Sequence, residues 1–173
     1  ERIEIYRGSA SVMFGDNASA GAVNIILKKG EGAPNVTLKT LAGSYNTFAP
    51  ALSISGSSKK FSYFLLSSSH DSDGYRENQA LQMKDIFGNF SIDPFRNLTL
   101  NIKAGHHKDR YGMPGAVLWQ NLINGTAKRT DASTPDDNAS TEDNFVDLEA
   151  VIKLQEDVKL SIGGSYRNRH NAS

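Results

Sequence analysis

The sequence predicts an all-β fold built from antiparallel strands, and three observations support this prediction. Apolar and polar residues alternate from residue 35 onward, which is the two-residue period of a strand with one apolar face. The polar stretches between the alternating segments are of two kinds, short turns and long loops. Gly, Ser, Asn and Thr are plentiful and hydrophobic residues make up only 38% of the chain, which favours strands and turns over helices.

Seven strands are predicted, each from its own run of alternating residues. With frayed ends, each would be about 9 to 11 residues long, the length that crosses a bilayer at a tilt. The predicted segments are 35–43, 48–55, 61–67, 84–92, 98–104, 146–154 and 158–166. In chain order, their apolar faces carry Val36, Leu38 and Thr40; Phe48, Leu52 and Ile54; Phe61, Tyr63 and Leu65; Ile86, Phe90 and Ile92; Leu98, Leu100, Ile102 and Ala104; Val146, Leu148, Ala150, Ile152 and Leu154; Val158, Leu160, Ile162 and Tyr166.

Alternation by itself fits two architectures equally well, a membrane-spanning barrel and a soluble sandwich or barrel. The connections favour the membrane barrel, because those near 56–60, 93–97 and 155–157 are short turns, whereas 71–83 and 108–143 are long and polar. Outer-membrane barrels place short turns at one end and long loops at the other. The sequence has no apolar run near the roughly 18 residues of a transmembrane helix, but a barrel crosses lipid with short strands instead.

Composition and motifs exclude several function classes. The 19 basic and 19 acidic residues balance to a formal net charge of zero, so no basic patch for nucleic acid is indicated. The chain has no cysteine, which excludes disulfides, thiolate metal sites and cysteine nucleophiles. No phosphate-binding glycine loop, zinc pattern or nucleophile elbow occurs. The sequence therefore carries no motif that indicates a cofactor.

Residues 1–30 follow a different pattern from the rest of the chain. A strand over Arg2 to Tyr6 is followed by Gly8 and a short helical turn over Ser9 to Phe14. A turn of small residues then leads into a second strand over Ala22 to Leu27. The Ser9 side chain can cap the short helix, and the run of small residues from Ala18 onward allows another surface to approach closely.

This segment resembles the C-terminal part of the plug domain of TonB-dependent receptors. Two positions depart from the family pattern, since Ser9 stands where Pro is usual and Leu27 where Thr is common; neither change disturbs the helix or the strand. The match extends over about 30 residues in order and spacing. The matching positions are Glu4, Arg7, Gly8, Phe14, Gly15, Gly21, Val23, Asn24, Ile25, Ile26, Lys28 and Lys29.

The resemblance implies a fold class and a domain organisation. The chain is expected to be a piece of a transmembrane antiparallel β-barrel of about 22 strands, together with the end of its N-terminal plug domain. Residues 1–30 would belong to the plug, 31–34 to a linker, and 35–173 to the first seven or so strands of the barrel. The chain starts inside a strand and without an initiator Met, so it is expected to begin within a longer protein.

The resemblance also implies a function, which is active uptake of a scarce nutrient such as a ferric siderophore, cobalamin or a similar large chelate. Such uptake is not enzymatic, so the resemblance implies that the protein is not an enzyme. The expected location is the bacterial outer membrane, in contact with its lipid. The expected partner is TonB with its inner-membrane energising complex, which in the family contacts a box upstream of this segment. Two alternatives remain, a soluble all-β module that binds glycan or protein, and a receptor barrel used mainly for signalling or for phage and colicin docking.

Charged residues of the plug strand are candidates for contacts with the barrel. Arg2, Glu4 and Arg7 would be enclosed by the barrel wall, and buried charges must be paired. We therefore expect Arg2 and Arg7 to meet lumen-facing carboxylates, with Asp147 and Glu149 as the candidates in this chain. Local pairing of Arg2 with Glu4 on one strand face is an equally weighted alternative.

Residues near the predicted outer strand ends are candidates for ligand contact. His106, Arg110, Tyr111 and Trp119 combine side chains that are common in binding sites. His106 and His107 are adjacent on a strand and point to opposite faces, so they cannot chelate one ion together, and no metal site is predicted. Aromatic residues also anchor barrels at the membrane interface, which is the expected role of Tyr63, Tyr75 and Tyr166.

Overall fold

The computed structural model describes residues 2–9, 18 and 20–173 of the chain. Its first unit is a two-stranded antiparallel sheet of β1 (Arg2–Arg7) and β2 (Gly21–Ile26), in which Glu4 faces Asn24. Both strands were predicted from the sequence. The helical turn predicted between them lies, apart from Ser9, outside the described residues.

The second unit is a seven-stranded sheet in which each strand pairs only with its neighbours in sequence. All pairs are antiparallel, so the sheet is a simple meander with β3 and β9 at its edges. A short helix, α1 (Trp119–Ile123), lies in the longest connection. The strands are β3 (Asn35–Gly43), β4 (Thr47–Ser57), β5 (Phe61–Ser72), β6 (Leu81–Phe95), β7 (Leu98–Gly112), β8 (Asn138–Lys153) and β9 (Lys159–Ala172).

The all-β prediction is confirmed, with all seven predicted strands present, but five of the strands are longer than the expected maximum of about 11 residues. β5 has 12 residues. β6, β7 and β8 have 15, 15 and 16 residues, and β9 has 14. Most of the added residues are polar on both faces, so their alternation is invisible in the sequence; Leu81, Met83 and Phe95 of β6 are among the apolar exceptions. The backbone ladder nevertheless continues through them, since Leu81 pairs with Tyr111 and Gly112 with Asn138.

The two ends of the sheet differ in the length of their connections. Residues 58–60, 96–97 and 154–158 form short turns at one end, whereas 73–80 and 113–137 form long loops at the other. The loop end also has one tight turn at 44–46, where Tyr45 and Asn46 adopt positive φ. We call the end with the long loops the loop end and the other the turn end. The segregation predicted from the sequence is confirmed.

Most of the sheet has no second layer against either face. Among the described residues, the buried hydrophobic side chains are Ala18 and Phe64, and the buried polar ones are Asn89 and Asp143. Within the same residues, no helix is long and apolar enough to span a membrane. The stability of the sheet therefore depends on what its two faces meet.

Candidate functional site

One face of the seven-stranded sheet carries an apolar belt. The antiparallel register aligns the apolar residues of neighbouring strands, as where Ile102 lies between Phe90 and Leu148. Many of them are exposed, including Leu38 at 70% and Ile86 at 59%. An exposed apolar surface of this extent marks a contact with lipid or with other protein. The belt comprises Val36, Leu38, Leu52, Ile54, Phe61, Tyr63, Leu65, Ile86, Phe90, Ile92, Leu98, Leu100, Ile102, Ala104, Val146, Leu148, Ala150, Ile152, Leu160, Ile162 and Tyr166.

Aromatic residues lie at both margins of the belt. Phe61 stacks on Tyr63 and on Phe90 near the turn end, with ring centroids 5.7 and 6.3 Å apart. Tyr166 lies at the opposite margin, beside Val146. Two of the three expected interface anchors thus occupy belt margins. Tyr75 does not, because it lies in the 73–80 loop and packs edge-on against Tyr45.

The segment between β2 and β3, residues 27–34, is seated on the sheet, and we call it the connecting segment. The Asn89 side chain, only 4% exposed, donates a 2.8 Å hydrogen bond to the carbonyl of Lys28. The Lys28 ammonium lies 5.9 Å from the centre of the Phe64 ring, a cation–π contact. Asn89 and Phe64 are register partners on the face opposite the belt, so Lys28 meets the polar face.

Gly30 packs so closely that no side chain fits. A Cβ atom there would lie closer than 3.0 Å to the carbonyl oxygens of Gly56 and Tyr63. These are backbone atoms of β4 and β5, which cannot move without breaking the sheet ladder. Farther on, the Ser57 amide donates a 2.8 Å hydrogen bond to the carbonyl of Gly32. The connecting segment is thereby held against β4, β5 and β6.

The predicted plug–barrel residues have partners within their own sheets. Arg2 Nε donates a 2.7 Å hydrogen bond to Glu4, which is the local pairing that the sequence left open. Glu149 accepts hydrogen bonds of 3.0 Å from Asn101 and 2.6 Å from Ser161. The connecting segment contributes one cation, Lys29, close enough to Glu149 for their charges to attract each other.

Two further members of that set are placed by strand register. Asp147 lies opposite Lys103 of β7 and Ser165 of β9, on the polar face of the sheet. Arg7 ends β1 opposite Gly21. The interdomain pairing of Arg2 and Arg7 with Asp147 and Glu149 stays a prediction.

The Glu4 carboxylate binds three donors of the small sheet. In addition to Arg2, it accepts hydrogen bonds of 3.0 Å from the Tyr6 hydroxyl and 3.1 Å from the Asn24 amide. The hydrogen bond from Arg2, followed by those from Tyr6 and Asn24, lowers the pKa of Glu4 below its ordinary value of 4.5. Asn24 faces Glu4 across the ladder, so this carboxylate ties β1 to β2.

We expect the β1–β2 pair to loosen in acid because of Glu4. A lowered pKa means that the carboxylate stabilises the folded pair fully above pH 4.5, and that this contribution is lost as pH falls through the lower folded value. Amide hydrogen exchange in β1 and β2, corrected for intrinsic rates, should show protection falling over that range. Glu4→Gln should remove the pH dependence, whereas the control Glu31→Gln should retain it. An unchanged profile in Glu4→Gln would contradict the assignment.

A charged network covers the polar face toward the loop end. His107 bridges two carboxylates, with Nδ1 2.7 Å from Asp85 and Nε2 2.9 Å from Asp109. Asp143, only 6% exposed, faces His107 across the β7–β8 ladder. Arg167 Nε donates to both Asp143 carboxylate oxygens at 2.9 and 3.0 Å, and Nη2 binds Asp143 as well. The network spans β6 to β9 and presents both signs of charge.

Sequence reasoning did not identify Asp143, Arg167 or Asp85 as site residues. A signal was present in the alternation, because Asp85, His107 and Asp109 all fall on the polar positions of their strands. The alternation did not give the strand register, which is what brings residues of three separate strands side by side. Among the described residues, no group of three or more His, Asp or Glu side chains is arranged to hold a metal ion.

The four residues expected to contact ligand are not brought together. His106 and Arg110 point to the face that carries the belt, where His106 Nδ1 lies 2.7 Å from Asn144 Oδ1. Tyr111 lies on the polar face, and Trp119 is 70% exposed on α1. His106 and His107 do point to opposite faces, as the sequence predicted. His106 and Arg110 therefore lie on the belt face and do not share a face with Tyr111.

The two long loops at the loop end are joined by Arg76 and Asn78. The Arg76 guanidinium donates to the carbonyls of Gly115 at 2.7 Å, Asp131 at 2.8 Å and Pro114 at 3.3 Å. Asn78 Nδ2 donates to carbonyls of the 113–137 loop, including those of residues 134 and 137 at 2.7 Å each. The 113–137 loop is thus ordered by side chains of the 73–80 loop.

We expect Arg76→Ala to release the 113–137 loop while leaving the sheet intact. The variant removes the charged donor from the carbonyls of Gly115 and Asp131, whereas the Pro114 carbonyl still accepts from the Ser133 amide. Hydrogen bonds from a charged group contribute about 1.5–3 kcal/mol each. Hydrogen exchange in 113–137 should accelerate at least tenfold, and protease cleavage in that loop should appear. Arg129→Ala, in the same loop, is the matched control. Equal hydrogen-exchange protection of the 113–137 loop in both variants would contradict the view that Arg76 holds this loop.

Comparison with known proteins gives the following matches. The chain is 24% identical over 177 residues to the metal-pseudopaline receptor CntO of Pseudomonas aeruginosa (strain UCBPP-PA14). This alignment covers 98% of the chain and 25% of CntO. The chain is also 31% identical over 120 residues to the ferrienterobactin receptor of Escherichia coli (strain K12). That alignment covers 68% of the chain and 14% of the receptor. No family model matches the sequence.

The fold is also similar to a solved structure. The unliganded ferric citrate transporter FecA superposes with a TM-score of 0.78 and 20% identity, over 98% of this chain and 26% of that chain. This likeness concerns the fold. The chain spans about a quarter of the length of CntO and of FecA.

Proposed function

We propose, from the premise that this chain belongs to the TonB-dependent receptor family, that the complete protein imports a scarce metal chelate across the bacterial outer membrane. The relatives are receptors and not enzymes. Energy would come from TonB and its inner-membrane complex, acting on the plug. No catalytic residue is required, because the ligand is moved and not changed.

The observation that best supports this proposal is that the sheet has one apolar and one polar face, with the connecting segment on the polar face. The belt requires lipid on one face. Lys28 and Gly30 hold the chain that leads to the small sheet on the other face, where a barrel lumen would lie. A soluble binding module would leave the belt in water, at a cost of about 25 cal/mol for each Å² of apolar surface.

The domain organisation follows as part of the same proposal. Residues 1–30 would form the end of the plug, 31–34 a linker, and 35–173 the first seven strands of a barrel of about 22 strands. The edges at β3 and β9 would pair with other strands of the complete protein, since exposed edges invite aggregation. The turn end would face the periplasm and the loop end the outside.

The ligand is proposed to be a large metal chelate, most simply a ferric siderophore, with cobalamin as a further candidate. Two relatives are named for such ligands, metal-pseudopaline and ferrienterobactin. Tyr111 and the exposed Trp119 at the loop end are proposed contacts. The network of His107, Asp143 and Arg167 would line the path below them, and its mixed charge suits polar, charged chelates.

Uptake of labelled chelates by cells tests this proposal. Cells lacking their own receptors and expressing the complete protein should accumulate iron supplied as at least one ferric siderophore, or take up labelled cobalamin. The same cells without TonB should accumulate none, which is the control for passive leakage. Uptake that persists without TonB, or recovery of the protein in the soluble fraction, would overturn the proposal.

A further inference from the structure

The belt is bordered toward the loop end by a short row of cations on the same face. Lys84 and Lys108 are direct register partners in β6 and β7. Arg110 follows two residues beyond Lys108, opposite Gln82 and Ser140. Each of these positions shares its strand parity with belt residues such as Ile102. The row therefore begins where the apolar surface ends.

The row carries more positive charge than the chain neutralises. Lys108 Nζ lies 3.2 Å from the Glu142 carboxylate, an exposed ion pair. In the part of the chain that the structure describes, no carboxylate lies within ion-pair distance of Lys84 or Arg110. Like charges directly opposite on a sheet face repel each other and destabilise the pair. An anion held between the two strands would reverse that effect.

A recess at this place is large enough for such an anion. It has a volume of about 370 Å³ and is open to the surface. Its lining supplies hydrogen-bond donors beside the cations, which suits the oxygens of a phosphate. The recess is lined by Gln82, Lys84, Lys108, Asp109, Arg110, Asn138 and Ser140. The Asp109 carboxylate binds His107 on the opposite face of the sheet, so the charged groups on the belt side of the recess are the cations.

We propose that this recess binds the phosphate of an anionic lipid headgroup in the outer leaflet. Acyl chains would lie along the belt, which on β6 begins at Ile86, two residues from Lys84, while the phosphate meets Lys84, Lys108 and Arg110. A freely diffusing anion has no reason to sit where an apolar surface meets a cationic row. An amphiphile with a phosphorylated headgroup matches both parts at once. The inference rests on the proposed placement of the belt in lipid.

The test measures lipid binding by the complete protein, purified in detergent. The probes are bisphosphorylated lipid A, its dephosphorylated form and inorganic phosphate, read by native mass spectrometry and by the shift in unfolding temperature. Lys84→Gln and Arg110→Gln should each weaken lipid A binding about fivefold, and the double variant about 25-fold, since a basic residue near an anionic surface contributes about 1 kcal/mol. Lys84→Arg should bind as the wild type does.

The controls distinguish a lipid site from general charge attraction and from a site for free phosphate. Lys39→Gln removes the same charge from the polar face of β3 and should leave lipid A binding unchanged. Dephosphorylated lipid A and inorganic phosphate should both bind far more weakly. The inference would be overturned if the double variant bound lipid A as tightly as the wild type does. It would also be overturned if inorganic phosphate displaced lipid A from the recess, because the recess would then hold an adventitious ion only. The readout does not depend on whether a chelate is transported.

Discussion

Replacing Gly30 by alanine in the complete protein is expected to unseat the connecting segment and to open the lumen. The new Cβ would collide with the carbonyl oxygens of Gly56 and Tyr63, which belong to the sheet backbone. Since neither strand can retreat, the segment must move away and lose the Lys28 bond to Asn89. Overpacking of a closed site costs about 1–3 kcal/mol, and a collision with backbone lies at the upper end of that range.

Two measurements check this expectation. Cells carrying Gly30→Ala should become sensitive to bulky antibiotics that a plugged barrel excludes, and chelate uptake should fall at least tenfold. Gly43→Ala is the matched control, because a Cβ there meets only the Thr47 side chain at an ordinary 3.6 Å. Wild-type uptake and antibiotic resistance in Gly30→Ala would show that the connecting segment does not hold the plug.

Placing a charge in the middle of the belt is expected to destabilise the protein in the membrane. Ile102 lies at the centre of the belt residues of β7, between Phe90 and Leu148. Arginine at the bilayer midplane of a barrel costs about 2–4 kcal/mol. Ile102→Arg should therefore shift the folding equilibrium in liposomes by roughly 30-fold to 900-fold, measured by denaturant titration.

The neighbouring residue provides the control for this experiment. Asn101 points to the polar face, beside Glu149 and Ser91. Asn101→Arg introduces the same side chain on the same strand, where a carboxylate can pair with it, and should cost little. Similar losses in both variants would mean that the belt does not face lipid, and the membrane assignment would fail with it.

The alternation in the sequence was sufficient for the sheet but not for the site. Each strand repeats with a period of two, so the belt residues could be assigned to one face before any pairing was known. The same rule correctly separated His106 from His107. It could not place Arg110 on the belt face, because Arg110 lies beyond the apolar run, in a stretch that is polar on both faces.

The contacts that hold the connecting segment on the seven-stranded sheet could not be inferred from the sequence, for a related reason. Asn89 and Lys28 are 61 residues apart, and neither has a neighbour that marks it as a contact. The closeness of Gly30 to β4 and β5 depends on how the chain returns across the sheet. The charged residues chosen instead, Arg2 and Glu4, satisfy each other locally at 2.7 Å.

By itself the sequence determined the strands, their two faces, the difference between the two ends and the family, because each is a local property of period, turn chemistry or motif. Only the tertiary structure decided which groups meet. These are the Asp85–His107–Asp143 row, the bonds of Arg76 to the 113–137 loop, the packing of Gly30 on the sheet and the pairing of Lys84 with Lys108. These contacts depend on strand register and on how connecting segments fold back across the sheet. A register shift of one residue would send each side chain to the other face.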